Sequence, residues 1–277
     1  MTLAEALSQA RAALSHIEGG ARDAKWLTAH ALGVPRDRLM LEDTTRELPA
    51  DTVARLTTLV VKRAKYVPVS HLIGEREFYG RAFYVTSDVL DPRPETEIAV
   101  ATALEAPFST VLDIGVGSGA ILLTLLAERP EATGTGTDVS IGALAMAEKN
   151  ARRLGVTRRA HITRATWFEG VEGRFDLIIS NPPYIPDDDH KRLGREIRHE
   201  PRVALTDGGD GLSAYRAIFA GAAAHLNPGG RVIVEFGAGQ GADVYAIAAA
   251  AGWTDLRLIP DLDRRDRVLL AKIRELS

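Results

Sequence analysis

Asn181-Pro182-Pro183-Tyr184 is the segment of this chain best equipped for chemistry. It follows an apolar run, Phe175–Ser180, that reads as a buried strand bounded by turn formers. Neither proline has an N–H for a sheet ladder, so the strand stops at Asn181 and the chain leaves in a stiff, extended turn. Open α/β folds hold their ligands at such turns, at the carboxyl ends of buried strands. There the Asn181 side-chain oxygen and the Pro182 carbonyl can stand side by side, and two adjacent acceptors suit a planar NH2 group with two hydrogens to donate. The competing reading is an ordinary Pro-stiffened loop. The apolar strand before the turn and the aromatic residue in it favour the chemical one.

A second constellation implies a nucleoside ligand. The strand residues Val111-Leu112-Asp113-Ile114 run straight into Gly115-Val116-Gly117-Ser118-Gly119 and then into a helix. Glycines there let the backbone turn sharply and let a ligand approach the main chain. Nineteen residues beyond Gly119, Asp138 ends the next strand, where a carboxylate can accept from both hydroxyls of a ribose. Dinucleotide enzymes carry G-x-G-x-x-G. The spacing here is G-x-G-x-G with Asp113 just before it, which suits S-adenosylmethionine, a ligand with a ribose and an amino acid but no phosphate. Trp167 follows the third strand and can lie against adenine, with Phe168 facing the core; the alternative is that both are core aromatics. Arg93 and Glu95, in Asp91-Pro92-Arg93-Pro94-Glu95-Thr96-Glu97, either line the site or form a linker ion pair with a helix-capping carboxylate.

The elements that must position these residues follow from hydrophobic period. Residues 1–70 read as helical, with Leu3, Ala6, Leu7, Ala10, Ala13 and Leu14 at helical spacing, a second helix ended by Gly33, and a third over residues 51–65. Residues 71–96 read as a β-hairpin around Gly80 and a rigid linker, from which Pro94-Glu95 starts a helix over residues 97–104. From there to residue 277, strands at 110–114, 132–138, 161–163, 175–180, 231–236, 256–259 and 267–272 alternate with helices at 119–128, 141–154, 213–226 and 240–251. That alternation predicts a doubly wound α/β domain with a mostly parallel sheet.

Composition narrows the field. The chain of 277 residues is long enough for such a domain plus a smaller one. It has no cysteine, which rules out disulfides and thiolate chemistry and fits a reducing cytoplasm. No membrane segment or signal peptide is expected. A net charge of -3 argues against a freestanding nucleic-acid binder, and the arginines at 152, 153, 158, 159 and 164 read as a solvated helix end. The run Asp187-Asp188-Asp189-His190 reads as an exposed acidic loop or helix start, since consecutive residues rarely converge on one ion. No metal is expected.

With these residues in hand, the catalytic half resembles a class I S-adenosylmethionine-dependent methyltransferase. The whole chain is similar to the HemK/PrmC family, the protein-(glutamine-N5) methyltransferases of peptide chain release factors. The similarity rests on residues 181–184 and on Gly74-Glu75-Arg76-Glu77-Phe78-Tyr79-Gly80, Arg93-Pro94-Glu95-Thr96-Glu97, His199-Glu200-Pro201-Arg202-Val203-Ala204-Leu205 and Gly208-Gly209-Asp210-Gly211-Leu212. The first two of these longer motifs separate the family from DNA adenine methyltransferases, which share only the Asn-Pro-Pro-aromatic turn. The resemblance implies a helical substrate-recognition domain, a hairpin, and a Rossmann-like seven-stranded sheet with a reversed last strand. It implies that residues 115–119, Asp138, Trp167 and Asn181 contact S-adenosylmethionine. It also implies that residues 181–184 hold the glutamine of a Gly-Gly-Gln motif, with Tyr184 packed on the flat amide. Four positions depart from the family pattern: Thr166 where an acidic residue is common, Arg264 and Arg265 where a glycine is common, and Asp91 in place of an apolar residue.

The leading expectation is therefore a cytoplasmic release-factor glutamine methyltransferase. A ribosomal-protein glutamine methyltransferase would use the same turn. A DNA or RNA adenine N6-methyltransferase needs the same two acceptors but is disfavoured by charge. A nicotinamide oxidoreductase is disfavoured by the glycine spacing, and a non-catalytic scaffold by the joint presence of the loop, Asp138 and Asn181.

Overall fold

The structure, a computed structural model, describes residues 1–273. The chain divides into two units: Met1–Glu75 with Gly194–His199, and Arg76–Leu193 with Glu200 onward. The first is helical, with α1 (Leu3–Ala13), α2 (Gly20–Leu32), α3 (Ala50–Ala64) and α4 (Val69–Ile73). Thr2 and Glu5 form a reciprocal capping box at the start of α1, and Gly33 ends α2 in the left-handed conformation. Leu3, Leu14, Leu27 and Leu56 are among the buried side chains of its core. Arg63 is buried beside them, donating to Asp23 at 2.8 Å and to Glu196 at 3.2 Å, and the His199 ring lies 3.2 Å from the Lys65 carbonyl. The short helix α4 falls where the sequence suggested the approach to the hairpin.

The hairpin β1 (Glu75–Phe78) and β2 (Arg81–Tyr84) turns on Tyr79 and Gly80, both at positive φ, which matches the right-handed twist of the paired strands. After it come α5 (Thr96–Leu104), β3 (Thr110–Ile114), α6 (Ala120–Glu128), β4 (Thr133–Asp138), α7 (Ile141–Arg153), β5 (Ala160–Arg164), β6 (Phe175–Ser180), α8 (Asp187–His190), α9 (Ser213–Gly221), β7 (Leu226–Glu235), α10 (Gly241–Ala250), β8 (Thr254–Pro260) and β9 (Asp266–Lys272). The sheet order is β5-β4-β3-β6-β7-β9-β8, parallel except for β9, which runs antiparallel to both its neighbours. The chain winds outward from β3 through β4 to β5 and then returns to place β6 on the other flank of β3. The strand order therefore reverses between β3 and β6, and a ligand crevice belongs at their carboxyl ends.

Two elements differ from the sequence expectation for visible reasons. The helix expected over residues 213–226 ends at Gly221 and continues as a tighter 3-10 turn, Ala222–His225. A Cβ on Gly221 would lie 2.4 Å from the Phe168 ring, so the helix passes that ring only through a glycine, and Phe168 then stacks on His225. Strand β7 starts at Leu226, earlier than expected, because Phe175 pairs with Leu226 while Leu177 pairs with Arg231, and the residues between loop out of register. The departures at Arg264 and Arg265 lie in the turn joining β8 to β9, where Arg264 adopts φ +63, a conformation that glycine adopts without strain.

Candidate active site

The carboxyl ends of β3 and β6 are pinned to one another by a single side chain. The Ser180 hydroxyl, fully buried, donates to the Ile114 carbonyl at 2.7 Å. The Asn181 turn is thereby fixed beside the start of the glycine loop. That loop is in turn fastened to β4: the N–H groups of Gly115 and Val116 both donate to the Thr137 carbonyl at 2.8 Å. Gly115, Gly117 and Gly119 all have positive φ. A Cβ on Gly119 would sit 2.6 Å from Leu123, so the third glycine is required by helix packing as well as by conformation.

These ends enclose a cavity of about 410 Å³. Gly115, Val116, Gly117 and Ser118 line one wall, Asp138 and Trp167 another, and Asn181, Pro182 and Pro183 a third. Arg93 and Thr166 also line it, as does Asp91, which is buried. Asp138 accepts from Gly117 N–H at 3.0 Å and from Ser140 N–H at 2.9 Å, so its carboxylate orders the loop as well as facing the cavity. Trp167 is held at φ +53, a strained setting for a bulky residue, and besides lining the cavity it packs against the core cluster that contains Ala165 and Phe175. Arg93 donates to both carboxylate oxygens of the buried Glu200, at 2.8 and 2.7 Å. This is the ion-pair reading of Arg93, made with Glu200 and not with Glu95, and it is compatible with Arg93 lining the cavity.

Four expected site residues lie elsewhere. Asp113 is buried behind the loop, where it accepts from Leu122 N–H at 3.1 Å and anchors the start of α6. Gly119 is not part of the cavity wall and acts through packing. Glu95 is exposed at the head of α5. The partly buried Tyr184 ring packs against the core cluster that contains Tyr215 and Phe236, and Tyr184 is not among the residues lining the cavity. What Tyr184 presents instead is its backbone carbonyl, which accepts from Gln240 Nε2 at 2.9 Å. Gly211 allows the turn its close passage, since a Cβ there would fall 2.3 Å from that carbonyl oxygen. The acidic run forms α8, with Asp187 paired to Arg202 and Asp188 to Lys191.

The atom that matters most is Asn181 Oδ1. Asn181 Nδ2 donates to the Thr96 hydroxyl at 3.0 Å, while Oδ1 is buried with no hydrogen-bond partner among the described residues. A buried, unpaired acceptor costs about 1–3 kcal/mol, and because Asn181 is a residue of the cavity wall, a ligand's donor would relieve that cost. Thr96, Gln240, Glu235 and Asn150 were not picked out by sequence reasoning. Asn150 spans the hairpin and the glycine loop, exchanging bonds with Tyr84 and donating to the Ser118 carbonyl at 2.8 Å.

Residues 95–213 match the methyltransferase small domain, and residues 5–74 match the PrmC N-terminal domain. A release factor glutamine methyltransferase from Cereibacter sphaeroides is 49% identical over 276 residues, covering 99% of each chain. Another from Caulobacter vibrioides is 43% identical, covering 98% of this chain and 96% of its own. This chain belongs to the release factor glutamine methyltransferase family. Among solved structures, a methyltransferase from Pyrococcus furiosus superposes with a TM-score of 0.55 at 19% identity, covering 70% of this chain and 89% of that one. The hMettl16 catalytic domain does so with a TM-score of 0.59 at 12% identity, covering 82% and 83%. Both show the same class I methyltransferase fold.

In this family member the cavity is acidic. Asp88, Asp91, Asp138 and Asp207 line it, against Arg93, whose charge is met by Glu200. Such a wall repels a pyrophosphate and favours a cation. Burial pushes the Asp113 carboxyl up to about 7, opposed by the Leu122 N–H bond and reinforced by the Asp138 charge. Burial likewise pushes Glu235 up to about 7; Thr96 and Asn181 hydrogen bonds and Arg267 oppose the rise, and Glu95 adds to it. The Tyr184 phenol is pushed up to about 12, by burial first and then by Glu235.

Proposed function

We propose that this protein methylates the side-chain amide nitrogen (N5) of the glutamine in the Gly-Gly-Gln motif of class 1 peptide chain release factors, with S-adenosyl-L-methionine as donor, in the cytoplasm. One observation carries the reading at atomic level: Asn181, a residue of the wall of an acidic cavity, has a buried and unpartnered Oδ1. The loop residues 115–118 and Trp167 would hold the donor's nucleoside and amino acid, and Asp138 its ribose. The donor supplies a methyl group already activated on a cationic sulfur, and the acidic wall suits that charge.

The chain's own residues handle the nucleophile. An amide nitrogen is weak because its lone pair is shared with the carbonyl. Asn181 Oδ1 and the Pro182 carbonyl each accept one N–H, fixing the nitrogen's direction of approach and stabilising positive charge as it develops. Alignment of two bound reactants can supply about 7–11 kcal/mol of the barrier reduction. The wedge formed by Pro182 and Pro183 holds that geometry, and Gln240 fastens the turn from behind. The helical unit, which carries the PrmC N-terminal match, recognises the protein substrate in this reading. Among the described residues no helix is long and apolar enough to cross a membrane.

The test is methyl transfer from radiolabelled donor to purified release factor, ribosomal protein and DNA, side by side. Label confined to the Gly-Gly-Gln glutamine is the expected result. Label on ribosomal protein or DNA, with none on release factor, would replace the substrate assignment.

A further inference from the structure

Glutamine chemistry at Asn181 works only if its oxygen, and not its NH2, faces the cavity. An amide flipped about its last torsion fits the same volume, so shape cannot select the productive orientation; only its hydrogen-bond partners can. Those partners lie behind the turn. Thr96 opens α5 and is buried, and Glu235 closes β7 with its side chain buried and Oε2 unpartnered among the described residues. The Thr96 hydroxyl accepts from Asn181 Nδ2, so its own hydrogen must go elsewhere. The Glu235 carboxyl lies close enough to the Thr96 and Asn181 side chains for both to favour its charged form.

We infer that Glu235, acting with Thr96, is a positioning residue that holds the Asn181 amide with its nitrogen inward and its oxygen toward the cavity. This rests on the glutamine-methylation reading and deepens it. An ionised Glu235 is acceptor-only and is a neighbour that can take the Thr96 hydrogen, which leaves both groups behind Asn181 asking for N–H donors. The flipped amide would set its oxygen against a buried carboxylate, which is repulsive, and would turn its NH2 on the substrate's NH2, donor against donor. A protonated Glu235 has a hydrogen to give and accommodates the flipped amide. The charge on Glu235 thus selects the orientation, and a buried carboxylate behind the amide also draws its hydrogens inward and leaves Oδ1 a stronger acceptor.

The neighbourhood makes that charge titrate near neutrality. Glu95 from the head of α5 and Arg267 from β9 oppose one another across Glu235. Tyr184 in the turn and Tyr215 on α9 face it as well, Tyr215 donating to the Glu235 backbone carbonyl at 3.0 Å, and both phenols are pushed upward and stay neutral. The folded-state pKa is raised to about 7 by burial, so the ionised, orienting form grows as pH rises through that value.

The experiment is single-turnover methyl transfer by the full-length protein to intact release factor at saturating S-adenosylmethionine, across pH 5.5 to 9 (roughly the span over which a group near 7 titrates). The wild-type rate should rise through an apparent pKa near 7. Glu235→Gln, which has hydrogens to donate at every pH, should lower the rate by about 10²-fold through misplacement of Asn181 and erase that acid limb. Its affinity for S-adenosylmethionine, measured by calorimetry, should be unchanged. Thr96→Val should lower the rate in the same way, and Thr96→Ser should restore most of it; a merely structural role would move neither the pH profile nor the serine rescue. If Glu235→Gln fails to fold, the Thr96 pair decides. Wild-type rates in Thr96→Val, or an acid limb retained in folded Glu235→Gln, overturn the inference. A wild-type protein that leaves release-factor glutamine unmethylated overturns the substrate reading instead, so the two failures are separable.

Discussion

Replacing Asn181 by alanine should abolish methyl transfer and leave the fold's stability almost untouched, and the structure supplies the arithmetic for both halves. The side chain makes one internal bond, Nδ2 to the Thr96 hydroxyl at 3.0 Å, whose loss costs about 1 kcal/mol. It also carries a buried Oδ1 with no partner, whose desolvation already costs about 1–3 kcal/mol and is relieved by truncation. The two terms oppose one another. The net falls within about 1–2 kcal/mol of zero, or a few degrees of melting temperature for a domain of this size. Activity has no such compensation. Loss of one preorganised contact to developing charge costs about 10²–10³ in rate, equivalent to about 2.7–4 kcal/mol. The loss should appear in kcat more than in KM, because the bond strengthens as the amide nitrogen becomes positive. Single-turnover transfer to release factor measures the first quantity and thermal melting the second. Asn181→Asp is a graded control: it keeps an acceptor but sets a second carboxylate against Glu235, so partial activity at raised pH is expected. Near wild-type turnover in folded Asn181→Ala would refute the reasoning, and so would a stability loss of several kcal/mol, which would make the amide a structural strut.

Three further outcomes follow from single contacts. Asp138→Ala should weaken S-adenosylmethionine binding by about 1.5–3 kcal/mol by calorimetric titration; because Asp138 also ties down the Gly117 and Ser140 N–H groups, Asp138→Asn should recover part of the loss, and unchanged affinity in the alanine variant would remove Asp138 from the cofactor site. Asp113, raised to about 7 when folded and near 3.8 when unfolded, binds a proton more tightly in the native state; its contribution is fully present below about pH 4 and is lost as pH rises to 7, so Asp113→Asn should flatten the fall in melting temperature across that window, and an identical profile would show the carboxyl already charged. Arg63→Met should cost about 3–5 kcal/mol in the helical unit by leaving the buried Asp23 with only the exposed Arg22, 3.6 Å away, while Asp23→Leu with Arg63→Met should regain most of it in a denaturant titration; equal losses in the single and double variants would contradict the buried-pair account.

What could be read from the sequence was whatever is written locally. The apolar run before Asn181, the two prolines after it and the glycine spacing each constrain a few consecutive residues, and the structure places the prolines and residues 115–118 of the loop in the cavity wall, at the end of the strand that the apolar run forms. The side chains that hold those motifs in place were not legible, because they come from far along the chain. Thr96 meets Asn181 across 85 residues, Gln240 meets Tyr184 across 56, and Asn150 meets Ser118 across 32. Such pairs exist only once the sheet and its helices have assembled, and no short-range period encodes them. Facing was illegible for a different reason. Strand β3 is buried on both sides, with Val111 in one core layer and Leu112 and Ile114 in the other, so polarity does not alternate and gives no hint that Asp113 faces α6 and not the ligand. Tyr184 lies in an irregular turn with no period at all, and its ring went inward while its carbonyl took the structural role.

The same distinction explains how a glycine-rich loop of low specificity comes to favour one ligand class. Glycine spacing alone separates a dinucleotide site from a nucleoside–amino acid site only weakly, since both need sharp turns and an accessible backbone. The structure adds two constraints. The third glycine is needed for contact with Leu123 and the adjacent Ala147 backbone, so its position is set by helix packing and carries little information about phosphate. The carboxylates around the cavity carry that information instead. With Asp88, Asp91, Asp138 and Asp207 in the wall and the Arg93 charge met by Glu200, a pyrophosphate would meet repulsion at close range, whereas a ligand bearing an ammonium and a sulfonium would be attracted. The loop permits a nucleoside; the charges around it decide which kind.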